Sequence, residues 1–269
     1  MKSVVVAVSG CDAQDSAIQA ALDLVRASAG HLTCLQVTPY TAYSMEGVHG
    51  GAGMLPALID AIVAQCREER QRLEAVLAGE GVSWDWVRCG GDAIQALASA
   101  SRLADAIVVG QHPDQPGMKP LSSFVGGLVL AAQAPVIVVP PSIKGFAVAG
   151  AAMIAWNGSF EASRALRDAL PLLALAESVD VVTVGDPDPD YPASAACAYL
   201  SRHGVHATMS ARACDGSSTG EAILRAAAER GAAYLVMGGY GHSRVREFVF
   251  GGVTRSLLAE TRLPLLLAH

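Results

Sequence analysis

Hydrophobic and polar positions follow two alternating patterns along this chain. Short runs such as SVVVAVS, AIVVG and VIVV are apolar at almost every position and rich in Val and Ile, which is typical of strands buried on both faces of a parallel sheet. Between them lie longer segments whose apolar residues recur every three or four positions, the pattern of an amphipathic helix. This alternation of strands and helices predicts an α/β fold with helices on both sides of a parallel sheet.

The pattern places five strands in each half of the chain. We predict strands near 3–9, 31–37, 82–89, 104–110 and 135–139, and near 151–156, 179–184, 206–212, 232–237 and 264–268. The first helix covers about 13–29, with Gly30 suited to the C′ position after it, and a long helix begins near Pro56. Ser218 and Glu221 have the spacing of a capping box, which marks the start of another helix.

The two halves also resemble each other. GDAIQALASASRLADAIVVG, from Gly91, corresponds to GEAILRAAAERGAAYLVMG, from Gly220, and each is followed by a loop, an apolar helix and a final strand led by proline. A repeat of this length indicates two copies of one domain. We place the domains at 1–141 and 149–269, joined by the short linker PPSIKGFAVAG.

Composition narrows the function classes. Hydrophobic residues make up 52% of the 269 residues and the net charge is −6, which supports well-filled cores and argues against disorder. No cluster of Lys and Arg supplies the basic face of a nucleic-acid-binding protein. The N-terminal apolar run is too short for a signal peptide, and no apolar segment is long enough to span a bilayer. We therefore expect a cytoplasmic protein.

Three other features give ordinary interpretations. The six cysteines form no CxxC pair and no zinc spacing, so we expect reduced thiols and no metal site. Asp186, Asp188 and Asp190 have the spacing of a calcium loop, but the prolines between them and the missing Glu favour a solvated loop. Segment 38–55 has little periodicity and several glycines, which predicts a surface loop, with a lid as the alternative.

Candidate chemistry concentrates in LVMGGYGHSRVREFVFGGVTRSLL, residues 235–258. Gly238, Gly239 and Gly241 follow a predicted buried strand, where glycine lets backbone N–H groups approach a ligand. Gly251 and Gly252 stand where a helix begins, and helix N-termini attract anions. The two clusters predict two walls of a phosphate site. The spacing is neither that of a P-loop nor that of a dinucleotide fingerprint.

On these motifs the chain resembles a tandem universal stress protein, and the segment from Met237 to Thr254 is similar to that family's ATP-binding signature, Gly-x2-Gly-x9-Gly-Ser/Thr. The resemblance implies two five-stranded parallel α/β domains of the Rossmann-like, adenine nucleotide alpha hydrolase-like type. It implies that the halves pair through their last strands, VIVV and LLLA, as an internal pseudo-dimer, with a homodimer of chains left open. It also implies a stress-response or signalling role and ATP as ligand, with Mg²⁺.

The resemblance carries over residue by residue. Gly238, Gly241 and Gly251 match the signature glycines, while Gly252 replaces the usual Ser or Thr and keeps only its N–H. Thr254 matches a further phosphate-contacting position. The nucleotide-binding set that the resemblance implies is Ala155, Trp156, Asn157, Val184, Met237, Gly238, Gly241, His242, Gly251, Gly252, Val253 and Thr254.

Several members of this set keep two interpretations. Asn157 stands where the family usually has Asp, so it can hydrogen-bond a base or ribose but offers no charge to a metal. Trp156 either stacks on adenine or fills the end of the sheet. Val184 matches an adenine-lining position. His242 either contacts phosphate or acts as an acid, or is an exposed loop residue. Arg244, Arg246 and Arg255 are candidates to neutralise phosphate, with a solvated surface position as the alternative for Arg244 and Arg246.

The first half departs from the signature. After Gly110 the chain reads QHPDQPGMKPLSS, in which Pro113 replaces the second glycine and Ser122 and Ser123 replace the third. Prolines remove N–H donors from a loop that needs them. We predict that this half binds no ATP in the family manner and completes the pseudo-dimer.

Three function classes remain open. The first is a regulatory protein that binds ATP or another adenine nucleotide in its second half. The second is a dimerisation or scaffold module without nucleotide, and the third is an enzyme such as a slow ATPase. We rank the enzyme last because the sequence offers no identifiable catalytic base and no Ser-His-Asp order.

Overall fold

A computed structural model describes residues 1–9, 13–38, 55–112, 120–185, 188–214, 216–241 and 252–269, and of residues 55–58 the backbone alone. The described residues form one ten-stranded sheet. Its strands are β1 (Ser3–Val8), β2 (His31–Thr38), β3 (Ser83–Gly90), β4 (Ala106–Gly110), β5 (Val136–Val139), β6 (Ala152–Ala155), β7 (Val179–Val184), β8 (Ala207–Arg212), β9 (Tyr234–Gly238) and β10 (Leu265–Ala268). All ten predicted strands are confirmed, with small shifts at their ends.

Helices cover both faces of this sheet, as the apolar strand runs predict. They are α1 (Gln14–Ser28), α2 (Leu55–Ala78), α3 (Ala93–Ala100), α4 (Leu121–Ala131), α5 (Phe160–Leu173), α6 (Ala193–Arg202), α7 (Thr219–Glu229) and α8 (Gly252–Glu260), and a short 3₁₀ turn covers Ser101–Leu103. One core contains side chains of α1, α2, α5 and α6, and the other contains side chains of α3, α4, α7 and α8. Each face is therefore built equally by both halves. Among the described helices, none has the length and apolar content needed to cross a membrane.

Strand order explains how the two halves become one body. The order across the sheet is β3-β2-β1-β4-β5-β10-β9-β6-β7-β8, so each half contributes five parallel strands in the same relative order. The halves meet at β5 and β10, which pair antiparallel with Ile137 opposite Leu266. Both side chains are buried. The predicted pairing of VIVV with LLLA as an internal pseudo-dimer is confirmed.

The linker between the halves is packed rather than loose. Phe146 is buried, its ring stands edge-on to Tyr234 with 5.4 Å between the ring centroids, and its backbone N–H donates to the Asp23 carboxylate at 2.8 Å. The Ser16 hydroxyl donates to the carbonyl of Pro141 at 3.0 Å. The linker thus contacts α1 of the first half and β9 of the second, which restricts how the halves can move relative to each other.

Two helix ends show where local sequence signals succeed and fail. The capping box of Ser218 and Glu221 is confirmed, with both reciprocal hydrogen bonds present. The prediction for Gly30 is one residue off, because the left-handed residue after α1 is Ala29, with φ of 47°. Gly30 is needed for another reason: a Cβ there would lie 2.6 Å from the Lys2 carbonyl oxygen. Its small size lets the chain pass close to the start of β1.

Candidate functional site

An apolar surface forms where β6, β7 and β9 end. Ala155 lies beside Met237 on one side and beside Val182 on the other, in register. Val184 follows Val182 by two residues and so projects to the same face of the sheet. Val253, in the first turn of α8, packs against the same apolar cluster. The structure thus brings together three of the predicted residues at adjacent strand ends, which we call the apolar wall: Ala155, Val184 and Met237.

Trp156 lies on the opposite face of the sheet from the apolar wall. Its side chain belongs to the core under α5 and α6, is only 5% exposed, and donates its Nε1–H to the carbonyl of Tyr191 at 2.9 Å. A contact with adenine on the side of the apolar wall would require the ring to leave that core. Of its two predicted roles, the geometry agrees with filling the end of the sheet.

Asn157 is exposed and begins the turn into α5. Its Oδ1 accepts the backbone N–H of Ser159 at 3.1 Å, and the hydroxyl of Ser159 accepts the N–H of Ala162 at 3.1 Å as the N-cap of α5. Asparagine commonly accepts a backbone N–H two residues ahead in this way. Gly158, between them, has a positive φ of 82°. The turn therefore explains why an asparagine stands at position 157 without any ligand contact.

Gly238 is needed for packing against the start of α5, whereas the sequence pattern predicted that it lets a ligand approach. A Cβ at this position would lie 2.8 Å from the Cβ of Glu161 and closer still to the backbone nitrogen of Ala162, both in the first turn of α5. Gly110 occupies the equivalent place in the first half, where a Cβ would lie 2.8 Å from the Ala13 carbonyl oxygen. In both halves the glycine lets a helix start approach the end of its neighbouring strand.

Glu161 brings a negative charge to the first predicted wall of the phosphate site, which the glycines after β9 form. This side chain is only 5% exposed, and a carboxylate oxygen lies 3.4 Å from where a Cβ of Gly241 would be. Gly241 itself is exposed. At the equivalent point the first half has Ala13, so the buried carboxylate is specific to the half that has the signature glycines. Sequence reasoning missed Glu161 because it reads as an ordinary acidic residue in a helix's first turn.

The start of α8 forms the second predicted wall. Gly252 is the first residue of the helix, is exposed, and has no atom of the described residues within 4 Å of the place a Cβ would occupy. Backbone N–H groups in a first turn have no partner within their own helix and favour anions. Thr254, in the same turn, is almost fully buried, and Arg255 next to it is exposed. Val253, between Gly252 and Thr254, packs against the core on the sheet face that also holds the apolar wall, so the open helix start lies on that face.

Tyr240 lies between Gly239 and Gly241 of the first predicted wall and is not among the site residues predicted from the sequence. It has a positive φ of 64°, rare for a residue with a large side chain. Its hydroxyl donates to the carbonyl of Ser122 in α4, at 3.2 Å, and so reaches the first half of the chain. Burial raises the pKa of this phenol above its ordinary value, which keeps it protonated as a donor. The unusual backbone angle and the cross-half contact are tertiary features that leave no local sequence signal.

Some predicted positions lie outside the described residues: His242, Arg244, Arg246, Gly251, Asp186, Pro113 and the loop at 39–54. Of the predicted calcium-like triplet, Asp188 accepts the backbone N–H of Asp190, which is a turn contact. Within the described part of the chain, no group of three or more His, Cys, Asp or Glu side chains is arranged to hold a metal ion.

Comparisons with known proteins agree with this architecture. The model of the universal stress protein family matches residues 1–140 and, separately, residues 151–269. A search of curated proteins gives no match.

Solved structures show the same fold over the whole chain. A universal stress protein from Archaeoglobus fulgidus DSM 4304 superposes with a TM-score of 0.76 at 15% identity, covering 98% of this chain and 97% of that one. A functionally unknown protein from Pseudomonas aeruginosa PAO1 gives a TM-score of 0.59 at 16% identity, covering 100% and 92%. Because the family model matches twice and accounts for nearly all residues, this chain belongs to the universal stress protein family, as a tandem of two such domains.

Proposed function

We propose that the second half of the chain binds an adenine nucleotide, ATP in the first instance, and that the protein is a stress-response or signalling module that responds to this ligand. The observation that carries the proposal is that the apolar wall and the open start of α8 lie on the same face of the sheet. The apolar wall offers an uncharged surface for a base, and the first-turn N–H groups favour an anion. A nucleotide has both parts, joined by a ribose.

The residues divide between the two parts of the ligand. Ala155, Val184 and Met237 would contact the base and sugar, and the N–H groups of Gly241 and Gly252 would hold phosphate oxygens. Asn157 supplies no charge for a metal, so a Mg²⁺ ion would enter with the phosphates that it neutralises. The proposal includes no hydrolysis step.

Isothermal titration calorimetry with ATP, ADP and AMP on the full chain tests this proposal, and Gly252 offers a matched pair of variants. Gly252→Pro removes one N–H donor at the first helical position, where proline fits. Gly252→Ala keeps the donor and adds a Cβ that has no described atom within 4 Å. Because a hydrogen bond to a charged group contributes roughly 1.5–3 kcal/mol, we expect Gly252→Pro to weaken ATP binding about tenfold or more and Gly252→Ala to leave it unchanged.

Two results would contradict the proposal. Absence of binding by the unmodified protein at millimolar nucleotide would leave the scaffold function as the better description. Equal affinity of the alanine and proline variants would mean that the nucleotide does not use the start of α8.

Glu161 provides a prediction about the number of phosphates. Its buried carboxylate lies against Gly241, so it repels phosphate charge held at that wall, and the repulsion grows with the charge of the ligand. We expect Glu161→Gln to tighten metal-free ATP binding by about fivefold and AMP binding by less. Glu177→Gln, an exposed change of the same charge before β7, serves as the control and should alter neither. Weaker ATP binding by the Glu161 variant would show this charge prediction to be wrong.

A further inference from the structure

The connection that leaves β9 is held at several points before it reaches Gly241. The N–H of Gly239 donates to the carbonyl of Ala268 at the end of β10, at 2.9 Å, and the Gly239 carbonyl lies 3.1 Å from Nδ1 of His269. Tyr240 follows in the left-handed region, φ 64°. A residue with a side chain persists in this conformation only where its surroundings fix it. The contacts that hold Tyr240 therefore determine where the backbone N–H groups of the first wall lie.

The hydrogen-bond partner of the Tyr240 side chain lies in the other half. The hydroxyl of Tyr240 donates to the Ser122 carbonyl in the first turn of α4, at 3.2 Å. A Cβ placed on Gly239 would lie 3.7 Å from a methyl group of Val129, also in α4, which shows how closely this connection passes the first half. The equivalent of Tyr240 in the first half is His112, whose ring packs on Phe124 of its own half, with 6.2 Å between centroids.

The first half also contacts the second wall. Nε2 of Gln111, just after β4, donates to the carbonyl of Leu258 in α8 at 2.5 Å. The neighbouring Leu257 side chain is fully buried, so α8 is fixed between this hydrogen bond and the core. One half of the chain therefore holds both elements that form the nucleotide site of the other half: the connection after β9 through Tyr240, and α8 through Gln111.

We propose that contacts from the first half position the second-half nucleotide site, with Tyr240 as the positioning residue that fixes the Gly239–Gly241 connection against α4. This inference rests on the proposed function, because it assigns a role in nucleotide binding. It gives the first half, which lacks the signature, a task other than binding ATP itself. It also predicts that a small change at the contact between halves lowers affinity without touching any residue of the apolar wall.

Tyr240→Phe tests the inference, and Tyr234→Phe is its matched control. Both tyrosines are on or next to β9, and each donates its hydroxyl to a backbone carbonyl, Tyr234 to Leu172 of its own half at 3.4 Å. The two variants should therefore lose similar stability. We expect Tyr240→Phe to weaken ATP binding at least threefold in calorimetry, while Tyr234→Phe, at the far end of the strand, binds like the unmodified protein. A structural role alone would move stability in both variants and affinity in neither.

Amide hydrogen exchange in the absence of nucleotide separates the possible failures. With Tyr240→Phe, the Gly239 amide should exchange faster because its hydrogen bond to Ala268 opens more often, whereas with Tyr234→Phe it should not. If exchange changes as expected but the unmodified protein binds no nucleotide, the proposed function fails and the anchoring by α4 stands. If the two variants match in both exchange and affinity, the inference itself is overturned.

Discussion

Gly238→Ala is expected to lower the free energy of unfolding by about 3 kcal/mol, because its Cβ would meet the backbone and Cβ of the first turn of α5 at distances that real side chains do not adopt. For a chain of this size that corresponds to a fall in melting temperature of roughly 6 to 12 °C. Differential scanning calorimetry measures it directly. The backbone of Glu161 and Ala162 cannot move aside without shifting the whole helix.

Two further variants show whether this effect is packing or ligand binding. Gly110→Ala places a Cβ 2.8 Å from the Ala13 carbonyl in the half that lacks the signature, and we expect a similar loss of stability. Gly252→Ala should be neutral, since its Cβ lies within 4 Å of no atom in the described part of the chain. Normal melting of both the Gly238 and the Gly110 variants would contradict the packing role.

The second large effect is expected at the seam between the halves. Ile137 and Leu266 face each other across the antiparallel pair, and each is 1% exposed. Truncating either side chain to alanine leaves a cavity and should cost about 3 kcal/mol. Because the two side chains are neighbours, we expect the free energy of unfolding lost by the double variant to differ from the sum of the two single losses. Chemical denaturation of the four proteins of this cycle measures that coupling.

Leu103→Ala provides the control for the seam. This leucine is 91% exposed, so its truncation should change stability by less than about 0.5 kcal/mol. If Leu266→Ala lowers the free energy of unfolding by less than about 1 kcal/mol, the side chains at the seam contribute little to the stability of the ten-stranded sheet.

The sequence predicted the strands and layers well for a physical reason. Runs such as VIVV are apolar at every position because both faces of the sheet are covered, and no other environment in a water-soluble fold favours such runs so strongly. Capping by Ser218 and Glu221 is equally local, since both partners lie within one helical turn. The pairing of β5 with β10 could not be predicted from local sequence, because an apolar strand indicates burial but does not identify the strand that pairs with it. This prediction followed from the family resemblance.

The site was predicted less completely because its determinants are tertiary. Glycine at 238 signals that a Cβ is excluded, and the sequence could not tell a ligand from the start of α5 as the excluding group. Trp156 directly follows Ala155, the last residue of β6, and so faces the other side of the sheet, but the side that holds the apolar wall is fixed only by the packing of α7 and α8. Tyr240 depends on Ser122, more than a hundred residues earlier in the chain.

The antiparallel seam also has an evolutionary consequence. In a pair of identical subunits joined through the same strand, one codon change alters both sides of the contact at once. Here Ile137 faces Leu266 rather than a second copy of itself, so each side can be replaced separately and compensated by its neighbour. Fusion thereby lets the two sides of the contact diverge in sequence while both halves keep the fold that they share.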